Sequence, residues 1–260
     1  MPKAIGLNYF VSGADNRLRP PVLLIHGAGG NRLYWPPQVR RLPGKRIFAM
    51  DLPGHGESDG IGRQRVQDYT DDVIGLMNEL NLNSAVLAGH SMGGAVVLDL
   101  ALRHPERVRG MALVGSGARL RVDTAILQSA AQESTLPGAI NLIGQRAFAA
   151  ATPRRLQELA LQRMAEIRAS VLYGDLLACQ EFDVMQQVGS IRVPALILCG
   201  AEDAMTPPRY SEYLRDSIGG SELLVVPNAG HMLMLEQPDI LAAALAGFID
   251  KIPYRPGARS

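Results

Sequence analysis

Residues 87–98, LAGHSMGGAVVL, interrupt an apolar run with Gly89-His90-Ser91-Met92-Gly93. A serine framed by glycines two before and two after it, with one apolar run behind and another ahead, fits G-x-S-x-G at a sharp strand-to-helix turn. Such a turn strains its middle residue, and the small flanking residues let the two chain segments pass. It would hold Ser91 out at the carboxyl ends of the strands, where open α/β sheets bind ligands. The following helix would aim its N-terminus at the same spot and favour developing negative charge. The chemistry such a serine can do is nucleophilic attack on a carbonyl. The plain alternative is a Gly-rich turn without chemistry, and the strand before and helix after weigh against it.

A serine nucleophile needs a base, and there are five histidines. His26 and His55 sit in Gly-flanked loops after early strands. His90 adjoins Ser91 and cannot fold back onto it. His104 lies in the polar helix end LRHPERV. His231, in the loop PNAGHMLMLEQP after the last strand, is the expected base, because this architecture orders serine, then acid, then histidine. The acid should orient the imidazole and stabilise its charged form. Asp203 in CGAEDAMTPP follows the preceding strand and fits that order; neighbouring Glu202 is its rival. Asp51 precedes the serine and reads as structural, within DLPGHGES. An oxyanion needs two N–H donors: Met92 follows the nucleophile, and Ala28 in HGAGGN follows His26-Gly27. The glycines of HGAGGN match neither G-x-G-x-x-G nor a Walker pattern, so no nucleotide is expected.

These groups require elements to carry them. VLLIHG (22–27), RIFAMD (46–51), AVLAGH (85–90), VRGMALVGS (108–116), ALILCG (195–200) and ELLVVP (222–227) read as strands, and their continuous apolar character suits parallel strands covered on both faces. IGLNYFVSG (5–13) reads as an added edge strand. Between them, residues 66–80 and 92–103 read as helices, the second apolar almost all round and therefore buried. Pro238 suits the first turn of a last helix striped with Ile240, Leu241, Ala244, Leu245, Phe248 and Ile249. Strand–helix alternation of this kind makes an α/β sheet with right-handed crossovers. It stops between about Arg119 and Ser190, which reads as helices broken at TLPGAI and ATPRRL. The expected organisation is therefore a core of residues 1–118 and 191–260 with a helical cap over 119–190.

The 260 residues are 47% apolar and 20% charged, with a net charge of +1, which suits a sizeable core and argues against disorder. No basic stripe points to nucleic acid and no charge block to a tail partner. Cys179 and Cys199 have neither disulfide-framework nor zinc spacing, so no metal and no other cofactor is expected. No secretory signal and no 18-residue apolar span is read, and a cytoplasmic location is the expectation. Oligomeric state is open.

The blocks LLIHGAGGN, MDLPGHGES, AGHSMGGA, ALILCGAEDAMTP and VVPNAGHMLMLEQP, in this order, resemble the recurring blocks of the α/β-hydrolase superfamily. The resemblance implies the α/β-hydrolase fold, a mostly parallel sheet with helices on both faces and a cap. GHSMGGA looks like carboxylesterases and monoacylglycerol lipases. Ser91 departs from the Asp nucleophile of haloalkane dehalogenases and epoxide hydrolases. Met232 departs from the Trp often seen in carbon–carbon bond hydrolases, and Ala95 from an Arg of the menaquinone-pathway lyases. The reading is a serine esterase for short- to medium-chain carboxylic esters, with Ser91, Asp203 and His231 catalytic and a small-molecule ester as partner. A second reading keeps the same residues for carbon–carbon cleavage or a lyase step on a carboxylated substrate, with a clamp drawn from Arg146, Arg154, Arg155, Arg163 or Arg168. A third is a non-enzymatic receptor or scaffold on the same fold. Apolar candidates for the pocket wall are Leu136, Ile140, Leu142, Ile143, Phe148, Leu172 and Leu176, with Met205, Met232 and Met234 beside the acid and histidine loops.

Overall fold

Short continuous apolar runs cannot leave one face in water, so they stack as parallel strands covered from both sides. In the computed structural model, which describes residues 2–14 and 19–253, they form one eight-stranded sheet. Its strands are β1 (Lys3–Ala4), β2 (Leu7–Ser12), β3 (Val22–Ile25), β4 (Ile47–Met50), β5 (Ala85–His90), β6 (Val108–Val114), β7 (Ala195–Gly200) and β8 (Glu222–Val226). Their spatial order is β1-β2-β4-β3-β5-β6-β7-β8. From β4 to β8 all neighbours are parallel; β2 runs antiparallel to β4, and β1 antiparallel to β2. The expected single edge strand is thus a hairpin. It folds back at Ile5 and Gly6, whose φ angles of +48° and +80° end the extended run.

Alternating residues of each strand feed opposite faces. Leu23, Ile25, Leu87, Leu113 and Ile197 pack on one side against α2 (Val66–Glu79), α3 (Met92–Arg103) and α8 (Pro208–Ser217). Leu24, Val86, Ala88, Val114 and Leu198 pack on the other against α1 (Pro37–Arg40) and α10 (Pro238–Lys251). Pro238 lies in the first turn of α10, where its missing N–H loses nothing. A four-residue helix, α9 (Leu233–Glu236), precedes it.

Between β6 and β7 the chain forms α4 (Thr124–Ala130), α5 (Leu136–Ala147), α6 (Arg154–Met164) and α7 (Ala169–Glu181). The TLPGAI segment is not simply a break: Thr135 is the N-cap of α5 and Pro137 sits in its first turn. Likewise Pro153 caps α6. Among the described residues no helix is long and apolar enough to cross a membrane.

One close approach positions everything at the carboxyl edge. A β-carbon at Gly93 would lie 2.3 Å from the Ile25 carbonyl oxygen and 2.6 Å from that of His26; one at Gly89 would lie 2.1 Å from the Gly93 oxygen. The first turn of α3 therefore presses backbone to backbone on the end of β3. By contrast, a β-carbon at Gly247, on the exposed side of α10, meets nothing within 4 Å. Gly93→Ala is expected to destabilise the protein by about 2–3 kcal/mol or more, as overpacking against rigid backbone does. Gly247→Ala is expected to stabilise it by up to ~1 kcal/mol through helix propensity. Urea unfolding of both variants checks the pair, and equal midpoints would refute the account of the close approach.

Candidate active site

Ser91 ends β5 and begins α3 with φ 51° and ψ −117°. A non-glycine residue held there carries strain of order 1–3 kcal/mol and persists only where its surroundings over-determine it. They do so here. The Ser91 N–H donates to the Val114 carbonyl at 2.9 Å, and its own carbonyl accepts from the Ser116 hydroxyl at 2.8 Å, the Gly94 N–H at 2.8 Å and the Ala95 N–H at 3.2 Å. Met92 opens α3, so its amide is among those a helix leaves without an internal acceptor.

Asp203 follows β7 and His231 follows β8. Gly200 lets these loops close up, since a β-carbon there would sit 2.2 Å from the Ala229 oxygen. The His231 Nδ1–H donates to Asp203 Oδ2 at 2.9 Å, and both side chains are buried. The carboxylate is held from several directions. The amides of Met205 and Thr206 donate to Oδ1 at 2.9 and 2.8 Å, and the Thr206 hydroxyl donates to Oδ2 at 2.8 Å. Burial alone would raise the Asp203 pKa, but the His231 charge and hydrogen bond, with the Thr206 donors, hold it below the ordinary carboxylate value. Glu202 points elsewhere: it is exposed and accepts from the Ala150 amide at 2.9 Å.

The loop after β3 is oriented by His26. Its Nε2 accepts from the Leu52 amide at 3.0 Å, so the proton sits on Nδ1, which donates to the Gly27 carbonyl at 2.8 Å. Burial, followed by the neighbouring His55, pushes the His26 pKa well down and keeps the ring neutral. The Gly27 carbonyl also accepts from Gly30 N–H at 3.1 Å. In a planar trans peptide the N–H opposes the C=O, so the Ala28 amide faces away from His26, and Ala28 lines the cavity that holds Ser91 and His231.

That cavity, about 180 Å³, is also lined by Leu120, Val122, Asp123, Arg146, Leu176 and Met205. A second, of about 40 Å³, meets it at Ala28, Ser91 and His231 and is bounded by Tyr34, Ile143, Met164, Leu172 and Met232. Of the expected wall residues, Leu176 and Met205 line both, and Ile143, Leu172 and Met232 line the smaller. Leu136, Ile140 and Met234 are instead buried in the packing, where Leu142 and Phe148 also lie half-covered. Of the five arginines considered as a clamp, Arg146 lines the larger cavity and pairs with Asp123 at 2.7 Å. Arg154 and Arg155 lie on an exposed helix face beside Glu158. Arg163 and Arg168 are exposed. Among the described residues no group of three or more His, Cys, Asp or Glu side chains could hold a metal ion.

Several residues at the site escaped the reading of the sequence. His90 donates from Nε2 to the His231 carbonyl at 3.0 Å, with the ring centroids 4.8 Å apart. Burial and then His231 lower its pKa to about 3, so it is a neutral strut. Gly115, at φ +53°, leaves room for the pair: a β-carbon there would sit 3.3 Å from both Asp203 Oδ2 and His231 Nδ1. Glu236 accepts from the Gly230 and Ala149 amides, each at 2.8 Å, and so ties the His231 loop to the segment after α5. Only Thr206 had a legible signal, its place three residues after a turn-forming Asp. Asp51 is structural, as its position before the serine implied: it is fully buried and takes the Arg32 amide, the Arg32 guanidinium and the Glu57 amide.

Comparison with known proteins meets this geometry. The family model described as alpha/beta hydrolase fold matches residues 20–238. The chain is 31% identical over 258 aligned residues to a pimeloyl-[acyl-carrier protein] methyl ester esterase of Neisseria meningitidis, with 92% of this chain and 80% of the relative covered. Among solved structures it is similar to an enol-lactonase of Burkholderia xenovorans LB400, with a TM-score of 0.87, 25% identity and coverage of 94% of this chain and 96% of the other. It is also similar to a thermophilic esterase from Thermogutta terrifontis, with a TM-score of 0.85, 27% identity and coverage of 95% and 94%. A strained serine elbow between a central strand and a buried helix, on a mostly parallel sheet matched across most of its length, places the chain in one lineage: it belongs to the α/β-hydrolase fold family.

Proposed function

We propose that the protein is a serine esterase acting on short- to medium-chain carboxylic esters. The observation that carries this reading is that the strained Ser91 opens onto the same cavity as His231, whose Nδ1 is bonded to Asp203. With the proton on Nδ1, the Nε2 lone pair is free to take the Ser91 proton as the hydroxyl attacks the ester carbonyl. The amides of Ala28 and Met92 hold the oxyanion. The alcohol leaves with a proton returned by His231, and water then hydrolyses the acyl-enzyme by the same steps. Residues 119–190 act as a cap that walls the pocket. Relatives named as a methyl ester esterase, an esterase and an enol-lactonase support ester-type chemistry.

Arg146 is the observation that favours the second reading, a carboxylated substrate for carbon–carbon cleavage. Its charge is already matched by Asp123 at 2.7 Å, which supports the neutral ester first.

Ser91→Ala is expected to lower kcat on the order of 10⁶-fold while leaving the circular dichroism spectrum and Tm at or above those of the parent protein. Parent-like turnover in a clean preparation would end the serine-hydrolase reading. Asp203→Asn should lower kcat roughly 10⁴-fold, since the imidazole loses the partner that fixes its tautomer. Glu202→Gln, outside the cavity, should stay within about threefold, as surface changes do. The reverse ranking would move the acid to Glu202.

The cavity, about 180 Å³, is below the roughly 300–1,000 Å³ typical of drug-sized ligand sites. Each acyl methylene that it buries adds about 0.8 kcal/mol until it is full. For a p-nitrophenyl ester series, kcat/KM should rise from acetyl to an optimum between butyryl and octanoyl and fall by palmitoyl. A monotonic rise through palmitoyl would overturn the size argument. Silence across the series with turnover of a carboxylated dienone would establish the second reading instead.

A further inference from the structure

Asp175, in α7, is fully buried and gathers three donors. The Gly29 amide and the His55 Nε2–H both reach Oδ2 at 2.8 Å, and the Tyr69 hydroxyl donates to Oδ1. The other ring nitrogen of His55 faces the Pro53 carbonyl at 3.0 Å. Both ring nitrogens face oxygen acceptors, a geometry that suits the protonated ring. Burial opposes that charge, but Asp175 outweighs it and raises the His55 pKa above its ordinary value. A buried ion pair is a weak device for stability, since well-packed apolar residues often serve as well. The question is what this one holds.

It holds the loop that presents Ala28. The sequence HGAGGN has three glycines and so little conformational preference of its own. His26 fixes the peptide before Ala28 through the Gly27 carbonyl, and Asp175 fixes the peptide after it through the Gly29 N–H. Gly29 has φ +65° and lies directly beneath the insertion: a β-carbon there would meet Leu172 at 3.0 Å and Met164 at 3.4 Å. The two anchors bracket Ala28, which lines the cavity beside Ser91. One anchor directly follows β3; the other arrives from 146 residues further along the chain.

We propose that Asp175 is a positioning residue of the oxyanion hole: by holding the Gly29 N–H it sets the direction of the Ala28 amide, so the helical insertion completes the catalytic centre as well as covering it. This rests on the acyl-transfer reading of Ser91. An amide that is misaimed stabilises the tetrahedral intermediate poorly but leaves ground-state ester binding nearly unchanged.

The test compares Asp175→Ala, Asp175→Asn and Tyr69→Phe in the full-length protein. Asp175→Ala is expected to lower kcat for p-nitrophenyl butyrate roughly 10- to 100-fold with KM within about threefold. That is less than the 10²–10³ typical of deleting a donor, because the Ala28 amide is displaced and not removed. Affinity for phenylboronic acid, which adds to the serine as a tetrahedral adduct, should fall by a similar factor. Asp175→Asn, which keeps an acceptor for Gly29, should lie between Asp175→Ala and the parent. Tyr69→Phe loses a bond to Asp175 but not the Gly29 bond, so it should lower Tm with kcat within about threefold. A folded Asp175→Ala with parent-like kcat and boronate affinity overturns the proposal. So does a loss of kcat in Tyr69→Phe that equals the loss in Asp175→Ala, since that pattern belongs to general loosening. If Asp175→Ala does not fold, Asp175→Asn against Tyr69→Phe decides on the same two readouts: a loss of kcat and boronate affinity confined to Asp175→Asn supports the proposal, and equal values overturn it. Active Asp175 variants beside a dead Ser91→Ala would remove this inference alone; an active Ser91→Ala would remove the esterase reading beneath it.

Discussion

The first turn of α3 lies against the end of β3 with no side chain between them, because a β-carbon at Gly93 would overlap the carbonyl oxygens of Ile25 and His26. Three consequences follow from that contact. The chain leaving β5 has to turn within one residue, which puts Ser91 in its strained conformation. The unpaired amides at the start of α3 are brought level with the loop after β3. That loop must itself come close, and Gly27 permits it: a β-carbon there would sit 3.0 Å from Ser91 Cβ and 2.8 Å from His90 Nδ1. Ser91, the first turn of α3 and the loop after β3 share one small space because two glycines let two backbones touch.

The histidines divide by what burial and neighbours do to their charge. His26 and His90 are kept neutral, and each uses its one N–H to fix a carbonyl, Gly27 in the first case and His231 in the second. His55 is equally buried but faces a carboxylate, which raises its pKa above the ordinary value. A protonated His26 or His90 would add an unpaired charge to a dry interior. Their neutrality leaves Asp203 as the carboxylate bonded to His231, beside a cavity whose lining also carries the Arg146–Asp123 pair.

The strands of the parallel sheet were legible because each is an unbroken apolar run, and the elbow was legible because its glycines answer a steric demand that any chain making this turn must meet. Asp203 and His231 could be placed from order along the chain and the strands they follow. What could not be read lies in side chains whose meaning depends on distant partners. Asp175 looks like any helix residue until α7 is docked, and its partners Gly29, His55 and Tyr69 lie more than 100 residues away. His90 was dismissed because it cannot bend back to Ser91, yet its ring reaches the His231 loop. The first residues read as one strand because Ile5 is apolar, although it takes a positive φ at the hairpin turn and is exposed. The arginines of the insertion were alike in sequence; only docking separates Arg146 from Arg154 and Arg155.

The order of the loops around the sheet also has a bearing on synthesis. Ser91 is in place once the strands through β6 have formed, but His231 lies 140 residues further on. At ribosomal rates of about 5–20 residues per second, that gap lasts on the order of ten seconds. During it the emerging chain carries the Ser91 elbow without His231, and for its earlier part also without Asp203 and the insertion residues Leu172 and Asp175 that meet Gly29. On the proposed esterase reading, a hydroxyl in that state is scarcely more nucleophilic than any other serine. On that same reading, reactivity arrives only with the loop after the last strand, and the serine stays quiet while the sheet edge is still open.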